Sequence, residues 1–240
     1  MKALIVADDL GYCPRRNRAL FELLRDGKVS RCSLLVNVDE LSRQGAQLCQ
    51  SYASRIGLHF NLTEGAPLTA CPSLTTKDGL FRGKEGYWST HLEISANEVE
   101  AELRAQIARF VELVGVLPAY IDGHQHVHCS RRVLPAVVNV MAEYEPIKRL
   151  RVPIEPNWSN VNWIEPPRRV QFYQMLQDEF VLASKGLTLP VHLPFVGYST
   201  MGDDLSIEHI EKCVASTDEP FELMVHPGYC ADEVFLIYAI

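Results

Sequence analysis

The chain has 240 residues, with 23 Lys and Arg against 30 Asp and Glu, a formal charge of −7, and 47% hydrophobic residues. This is globular composition, which excludes collagen-like, coiled-coil and disordered chains. The acidic balance argues against nucleic acid or an anionic membrane as main partner, and the length suits one large domain or two small ones.

The N-terminal run Met1 to Ala7 meets Asp8 and Asp9 and is too short for a signal-peptide core. The stretch Val133 to Ala142 is broken by Asn139 and cannot span a bilayer. Seven cysteines stand at 13, 32, 49, 71, 129, 213 and 230, with no C-x-x-C pair. The expectation is a cytoplasmic protein with free thiols.

Taken in chain order, the pattern alternates strand and helix. Lys2 to Ala7 predicts a buried strand ending at Asp8-Asp9-Leu10-Gly11. Pro14 opens a helix with the stripe Leu20, Leu23, Leu24 and a stop at Gly27. Ser33 to Val38 predicts a second strand, and Asp39 caps a helix carrying Leu41, Ala46 and Leu48. Ile56 to Asn61 predicts a third strand. Thr63 to His91 is broken by Pro67, Pro72, Gly79, Gly83 and Gly86, which predicts a long loop.

Ser95-Ala96-Asn97-Glu98 has the form of a capping box ahead of a helix carrying Leu103, Ile107, Phe110 and Val114 and closed by Gly115. Ala119 to Asp122 predicts a fourth strand, with a helix around Val133 to Met141 after it. Leu150 to Val152 is the fifth strand. Asn157 to Pro167 is irregular, and a helix follows through Val170, Tyr173, Leu176 and Phe180. His192 to Val196 is the sixth strand, Ser206 opens a further helix, and Phe221 to Val225 is the seventh strand. Such alternation, at roughly 30 residues per unit, predicts a parallel sheet covered by helices and suits a TIM-barrel-like (β/α) barrel.

Polar residues capable of chemistry gather at the carboxyl ends of these strands, where parallel α/β folds build their sites. Asp8 and Asp9 follow the first strand, His59 ends the third, His124, His126 and His128 follow the fourth, and His226 ends the seventh. Imidazole is a common transition-metal ligand, and alternate residues of an extended segment share a face. One or two of the three clustered histidines are therefore expected to bind a metal; spacing does not say which. One of Asp8 and Asp9 could bind the same ion while the other stays off it as a general base. Gly11 makes the turn this needs feasible. Asn61 shares a face with His59 and could be a hydrogen-bond donor behind the metal ligands. His226 titrates in the range useful for a general acid. Cys13 and Cys129 read as inert thiols. Trp88 and Trp158 could equally stack on a sugar or pack in the core. No G-x-G-x-x-G, Walker A or G-x-S-x-G segment is present.

Four ordered segments then resemble a family: Ala7-Asp8-Asp9-Leu10-Gly11, Gly57-Leu58-His59-Phe60-Asn61-Leu62-Thr63, Asp122-Gly123-His124-Gln125-His126-Val127-His128, and Glu222-Leu223-Met224-Val225-His226-Pro227-Gly228. They are similar to the signatures of the YdjC-like carbohydrate deacetylases, and Tyr12-Cys13-Pro14-Arg15-Arg16 resembles the animal members. The resemblance implies a TIM-barrel-like fold and a metal-dependent hydrolase that removes N-acetyl groups from N-acetylglucosamine-containing oligosaccharides. It implies Asp9, His59 and His124 as metal ligands, Asp8 as catalytic base and His226 as acid or site-lining residue. It implies Mg²⁺, whereas two imidazoles and a carboxylate suit Zn²⁺ or a neighbouring ion. Homodimers occur in the family, which leaves a dimer open here; no nucleic-acid or membrane partner is expected.

The family continues for tens of residues beyond its His-Pro-Gly motif. Here eleven residues, Cys230 to Ile240, follow Tyr229, and Val234 to Ile240 do not read as that continuation. The expected organisation is a single YdjC-like domain over residues 1–240 lacking the family's portion after about residue 229, so a barrel incomplete at its C-terminal end. The alternative expectations are a non-catalytic metal- or glycan-binding relative, an unstable truncated isoform, or a hydrolase of another amide or ester.

Overall fold

A computed structural model describes residues 3–38, 41, 43–155, 167–198, 208, 211 and 220–228. Within them lie strands β1 (Ala3–Leu10), β2 (Arg31–Leu34), β3 (Ile56–Phe60), β4 (Ile121–Gly123), β5 (Phe195–Val196) and β6 (Phe221–Val225). The helices are α1 (Pro14–Arg25), α2 (Arg43–Ser51), α3 (Gly83–Thr90), α4 (Ala96–Val114), α5 (Leu134–Glu143) and α6 (Pro167–Ala183).

The six strands form one sheet in the order β4-β3-β2-β1-β6-β5, and every pairing is parallel. Parallel strands are covered on both faces, which explains their near-continuous apolar runs. Beyond β4, single parallel bridges join Ile121 to Leu150 and Arg149 to Val191. Pro194 then accepts a hydrogen bond from the Glu222 amide of β6. The two edges of the sheet thus meet through residues 149–151 and 191–194, and the sheet curls into an incomplete (β/α)-barrel. The segment expected as a fifth strand contributes one bridge, and the expected sixth shortens to two residues.

Helix boundaries follow local chemistry. Pro14 occupies the first helical turn of α1, and Leu20, Leu23 and Leu24 are fully buried. Gly115 ends α4 in the left-handed region, φ 89°, donating its amide to Val111. The second strand begins earlier than its pattern suggests, at Arg31, and ends at Leu34, because pairing to Val6 and Ala7 sets its register.

Two expectations are corrected. Residues 63–91 are not one long loop: Gly83–Thr90 form α3, and Thr75 bridges to Phe81. The capping box does not form, since Ser95 makes no side-chain cap. Instead the Glu98 carboxylate accepts from the Ser73 amide and hydroxyl at 2.9 and 2.7 Å, and the Ser95 amide donates to Ser73 Oγ at 3.0 Å. A serine 22 residues upstream wins the carboxylate because it presents two donors at once. The expected Asp39 cap, the irregular stretch from Asn157 with Trp158 and Trp163, the helix from Ser206 apart from the helical residues 208 and 211, and the segment Val234 to Ile240 lie outside the described residues. No described helix is long and apolar enough to cross a membrane.

Candidate active site

The site begins with a defect in β1. Ala7 pairs with Cys32, but the next pairing is Leu10 with Leu34, so three steps on β1 match two on β2. Asp8 and Asp9 sit in this bulge, and Asp9 has φ 69°. Neighbouring residues of a regular strand point to opposite faces; the bulge turns both carboxylates into the barrel mouth, both nearly fully buried. The turn expected here is a bulge within the strand, which runs on to Leu10.

The strand β3 brings His59 opposite. Its Nδ1 lies 2.7 Å from Asp122 Oδ1 of β4, and its Nε2 lies 3.4 Å from Asp9 Oδ1. Asp122 is fully buried. Burial opposes its ionisation, but the Arg151 guanidinium and His59 outweigh it and hold the carboxyl low. An ionised Asp122 accepts the Nδ1–H of His59 and leaves Nε2 facing Asp9. Ser33 donates its hydroxyl to the other Asp122 oxygen at 2.6 Å, so the Tyr120 hydroxyl, 2.9 Å away, donates to Ser33.

After β4 the chain turns sharply. Residues His124–Cys129 form a tight helical turn broken by left-handed Gln125 (φ 51°) and His126 (φ 59°). The three histidines therefore do not share a face, contrary to the reading of an extended segment. His124 faces Asp9, with Nδ1 2.9 Å from Oδ1. His128 donates its Nε2–H to the Arg151 carbonyl at 3.0 Å, and its ring lies where a Cβ on Gly123 would sit, 2.3 Å from Nδ1. Only glycine admits that contact. His126 packs edge-on against Tyr198, ring centroids 5.1 Å apart. Burial drives His126 well down and takes His128 to about 4, so both are neutral. The Tyr87 hydroxyl of α3 lies 2.9 Å from both the Val127 carbonyl and Ser130 Oγ, which clamps this turn.

Below the mouth, Arg151 fills the barrel axis. Its guanidinium donates to both oxygens of Asp8 (2.5 and 2.8 Å) and to Glu222 of β6 (2.6 Å), and lies 2.9 Å from Asp122 Oδ2. It is almost fully buried, and although burial disfavours the charge, these carboxylates hold it firmly protonated. His226, at the end of β6, puts Nε2 4.0 Å from Asp8 Oδ2; burial lowers its pKa and keeps it neutral.

Asp9, His59 and His124 thus each offer one donor atom, all within 4.8 Å of one another. Asp9 Oδ1 is buried and makes no hydrogen bond, although two imidazole nitrogens face it. Donors at about 2.0–2.2 Å from one transition ion stand roughly 3–3.5 Å apart. The separations of 2.9 and 3.4 Å fall close to that range, so the donor set fits a divalent cation. The other Asp9 oxygen takes a hydrogen bond from Arg16 at 2.6 Å, which leaves Oδ1 to face the imidazoles. Burial opposes the Asp9 charge, but His124 and His59 bring its carboxyl well below the usual range.

The family model described as YdjC-like protein matches residues 2–239. The chain belongs to the YdjC-like family. A "Carbohydrate deacetylase" of Danio rerio is 35% identical over 95% of this chain and 82% of its own length. The Homo sapiens protein of the same description is 34% identical over 95% of this chain and 75% of its own. A "Chitooligosaccharide deacetylase" of Proteus mirabilis is 29% identical over 94% and 81%. A solved structure from Enterococcus faecalis V583, provisionally described as a cellobiose-phosphate cleavage protein, shares the fold with a TM-score of 0.68 at 22% identity. The match covers 97% of this chain and 83% of that one.

In this YdjC-like chain the five residues expected in the site, Asp8, Asp9, His59, His124 and His226, do converge at one end of the sheet. His126 and His128 do not join the Asp9 cluster. Asn61 does not donate to His59; its amide donates to Asn37 Oδ1 and the Glu64 carbonyl, and its Oδ1 accepts from the Thr63 and Glu64 amides. Trp88 is buried against Tyr87, His91 and Phe172, a packing role. Cys129 is buried, its thiol pushed far up by desolvation. Sequence reading assigned no role to Arg151; the one signal was a cation inside the apolar run from Leu150 to Val152. Asp122 and Glu222 carried a comparable signal as acids within strands.

Proposed function

We propose that this chain is a metal-dependent carbohydrate deacetylase, hydrolysing the N-acetyl groups of N-acetylglucosamine-containing oligosaccharides. One observation carries the reading: a buried, unbonded Asp9 oxygen between two imidazole nitrogens, with a second carboxylate, Asp8, beside it. The descriptions of the zebrafish, human and Proteus relatives give the substrate class.

Asp9, His59 and His124 are the proposed ligands. A divalent ion held there supplies Lewis acidity to the acetamide carbonyl and acidifies a water. Mixed nitrogen and oxygen donors favour Zn²⁺ or a neighbouring transition ion over Mg²⁺, which remains the family expectation. Asp8 is the base: Arg151 holds both of its oxygens in one orientation, ready to take the proton of the attacking water. His226 is the group placed to protonate the departing amine. Burial keeps it neutral at rest, so it acts as an acid only after taking up a proton; Asp8, which takes one from the water, lies 4.0 Å away, a gap that a bridging water or a small side-chain movement has to close. The proton lost by water thus ends on the amine, and acetate and a free amino sugar leave. The domain is proposed to act as a single unit in a reducing compartment, in keeping with the free cysteines Cys32, Cys49, Cys71 and Cys129.

The test is acetate release from N-acetylated chito-oligosaccharides, with and without chelator. Chelator-sensitive release is the expected result. A stably folded protein that binds metal yet releases no acetate from any acetylated sugar would overturn the enzyme reading in favour of a metal- or glycan-binding relative.

A further inference from the structure

The two imidazoles of the candidate metal cluster offer different nitrogens. His59 presents Nε2, because Asp122 occupies Nδ1 at 2.7 Å. His124 presents Nδ1 to Asp9, which leaves its Nε2 on the far side, buried and without a hydrogen-bond partner. For Nδ1 to carry a free lone pair, the proton of neutral His124 must sit on Nε2. Something has to accept it there.

The carboxylate nearest that atom is Glu64, with Oε1 4.0 Å from His124 Nε2. The side chain is one-third exposed, at 34%, so it has room to close the remaining gap. Its backbone has no such freedom. Asn61 Oδ1 accepts from the Glu64 amide at 3.0 Å, and Asn61 Nδ2 donates to the Glu64 carbonyl at 2.8 Å. Gly65 continues in the left-handed region, φ 73°, with its carbonyl taken by the Phe81 amide. Asn61 is fixed in turn by Gln106 of α4, which accepts from its amide at 3.1 Å and donates to its carbonyl at 2.7 Å. Gln125, next to His124, donates from its side-chain amide to Glu64 Oε1 at 3.2 Å. This framework extends from helix α4 to a single one-third-exposed carboxylate, and that carboxylate stands at the open nitrogen of a proposed ligand.

We propose that Glu64 is a positioning residue for His124, doing at Nε2 what Asp122 does at the Nδ1 of His59. Accepting the Nε2–H fixes the tautomer that turns Nδ1 toward Asp9. The idea rests on the metal-site reading above, and the Gln125 contact holds the carboxylate in reach meanwhile.

The test uses the full chain labelled with ¹⁵N-histidine, with Zn²⁺ alone as probe and chelator competition for affinity. In the wild type, two-bond ¹H–¹⁵N correlations should show His124 with a protonated Nε2 in the Zn²⁺-loaded protein. Glu64→Ala should weaken Zn²⁺ binding by about 10-fold, within the range for lost partners of metal-bound imidazole, and should remove that tautomer preference. Glu64→Gln, whose amide oxygen still accepts, should restore the tautomer and most of the affinity. The outcome that overturns the inference is Glu64→Ala with wild-type affinity and tautomer while His124→Ala loses Zn²⁺. If His124→Ala itself binds Zn²⁺ like the wild type, the metal-site reading fails, and the positioning role falls with it.

Discussion

Two places in this molecule bury carboxylates, and they do so by opposite means. Under the loop before α3, Glu102 of α4 is fully buried yet meets no cation in hydrogen-bonding reach among the described residues. Its oxygens accept from the Leu68 and Thr69 amides, the Thr69 hydroxyl and the Gln106 amide at 2.7 to 3.0 Å. Each of those donors belongs to a group that must be ordered, so the carboxylate ties the loop to the helix. On the barrel axis, Asp8, Asp122 and Glu222 converge on one guanidinium, and just above them Asp9 keeps an oxygen unbonded. The first centre is saturated and holds structure. The second is left with free valence at its mouth, where a ligand can be received. Buried charge alone does not distinguish a site from a strut; unsatisfied donors and acceptors converging on one point do.

That contrast can be broken or sharpened by experiment, beginning with the largest effect. Asp8→Asn keeps the shape but removes the base, and turnover of acetylated chito-oligosaccharide should fall by about 10²–10⁴-fold. Metal content should survive, and retained activity would remove Asp8 from its proposed role. Arg151→Met strips the guanidinium from Asp8 and Asp122, while Glu222 keeps Arg149. Breaking such a buried set should cost about 3–5 kcal/mol, read from chemical denaturation; a loss below 1 kcal/mol would show that the cluster is wet and adaptable.

Acid should act through the buried histidines. His128 is held at about 4 in the folded chain, against about 6.5 unfolded. Between those values the unfolded state binds the extra proton, so stability rises with pH through the window and is lost as pH falls through it, by about 3 kcal/mol at most. His126 and His226, also lowered, act with the same sign. His59 works the other way in metal-free protein. Burial opposes its charge, yet Asp122 and Asp8 raise it to about 10. Its contribution is complete below about 6.5 and fades as pH rises toward 10. Melting curves in chelator across pH 4 to 10 should therefore rise and then decline; a flat profile from 4 to 6.5 would deny the buried neutral histidines.

The smallest effect belongs to the saturated centre. Glu102→Ala should cost about 1–3 kcal/mol through the donors it strands, with Zn²⁺ affinity changed far less than by His124→Ala. Equal losses of affinity would show that the loop network and the metal cluster form one unit.

Legibility from sequence followed the range of the interactions. The apolar run of Phe221–Val225 gave its strand with matching ends, and the residues before Gly115 gave α4, because local periodicity and a left-handed stop are properties of neighbours in the chain. The capping box misled, since Ser73, distant in sequence, competes for Glu98. The histidine triple misled as to its face, because the left-handed turn at Gln125 and His126 is imposed by packing around Gly123 and Tyr87.

The sequence by itself determined the alternation of strand and helix, the strand ends at which Asp8, Asp9, His59, His124 and His226 fall, and membership of a family with those motifs. Only the tertiary structure decided that Arg151 stands on the barrel axis, that a bulge turns adjacent aspartates into one mouth, and that His124 alone of the three clustered histidines faces Asp9. The reason is physical: strand period and turn chemistry are written in successive residues, whereas the orientation of a buried charge is set by partners that only folding brings within 3 Å or so.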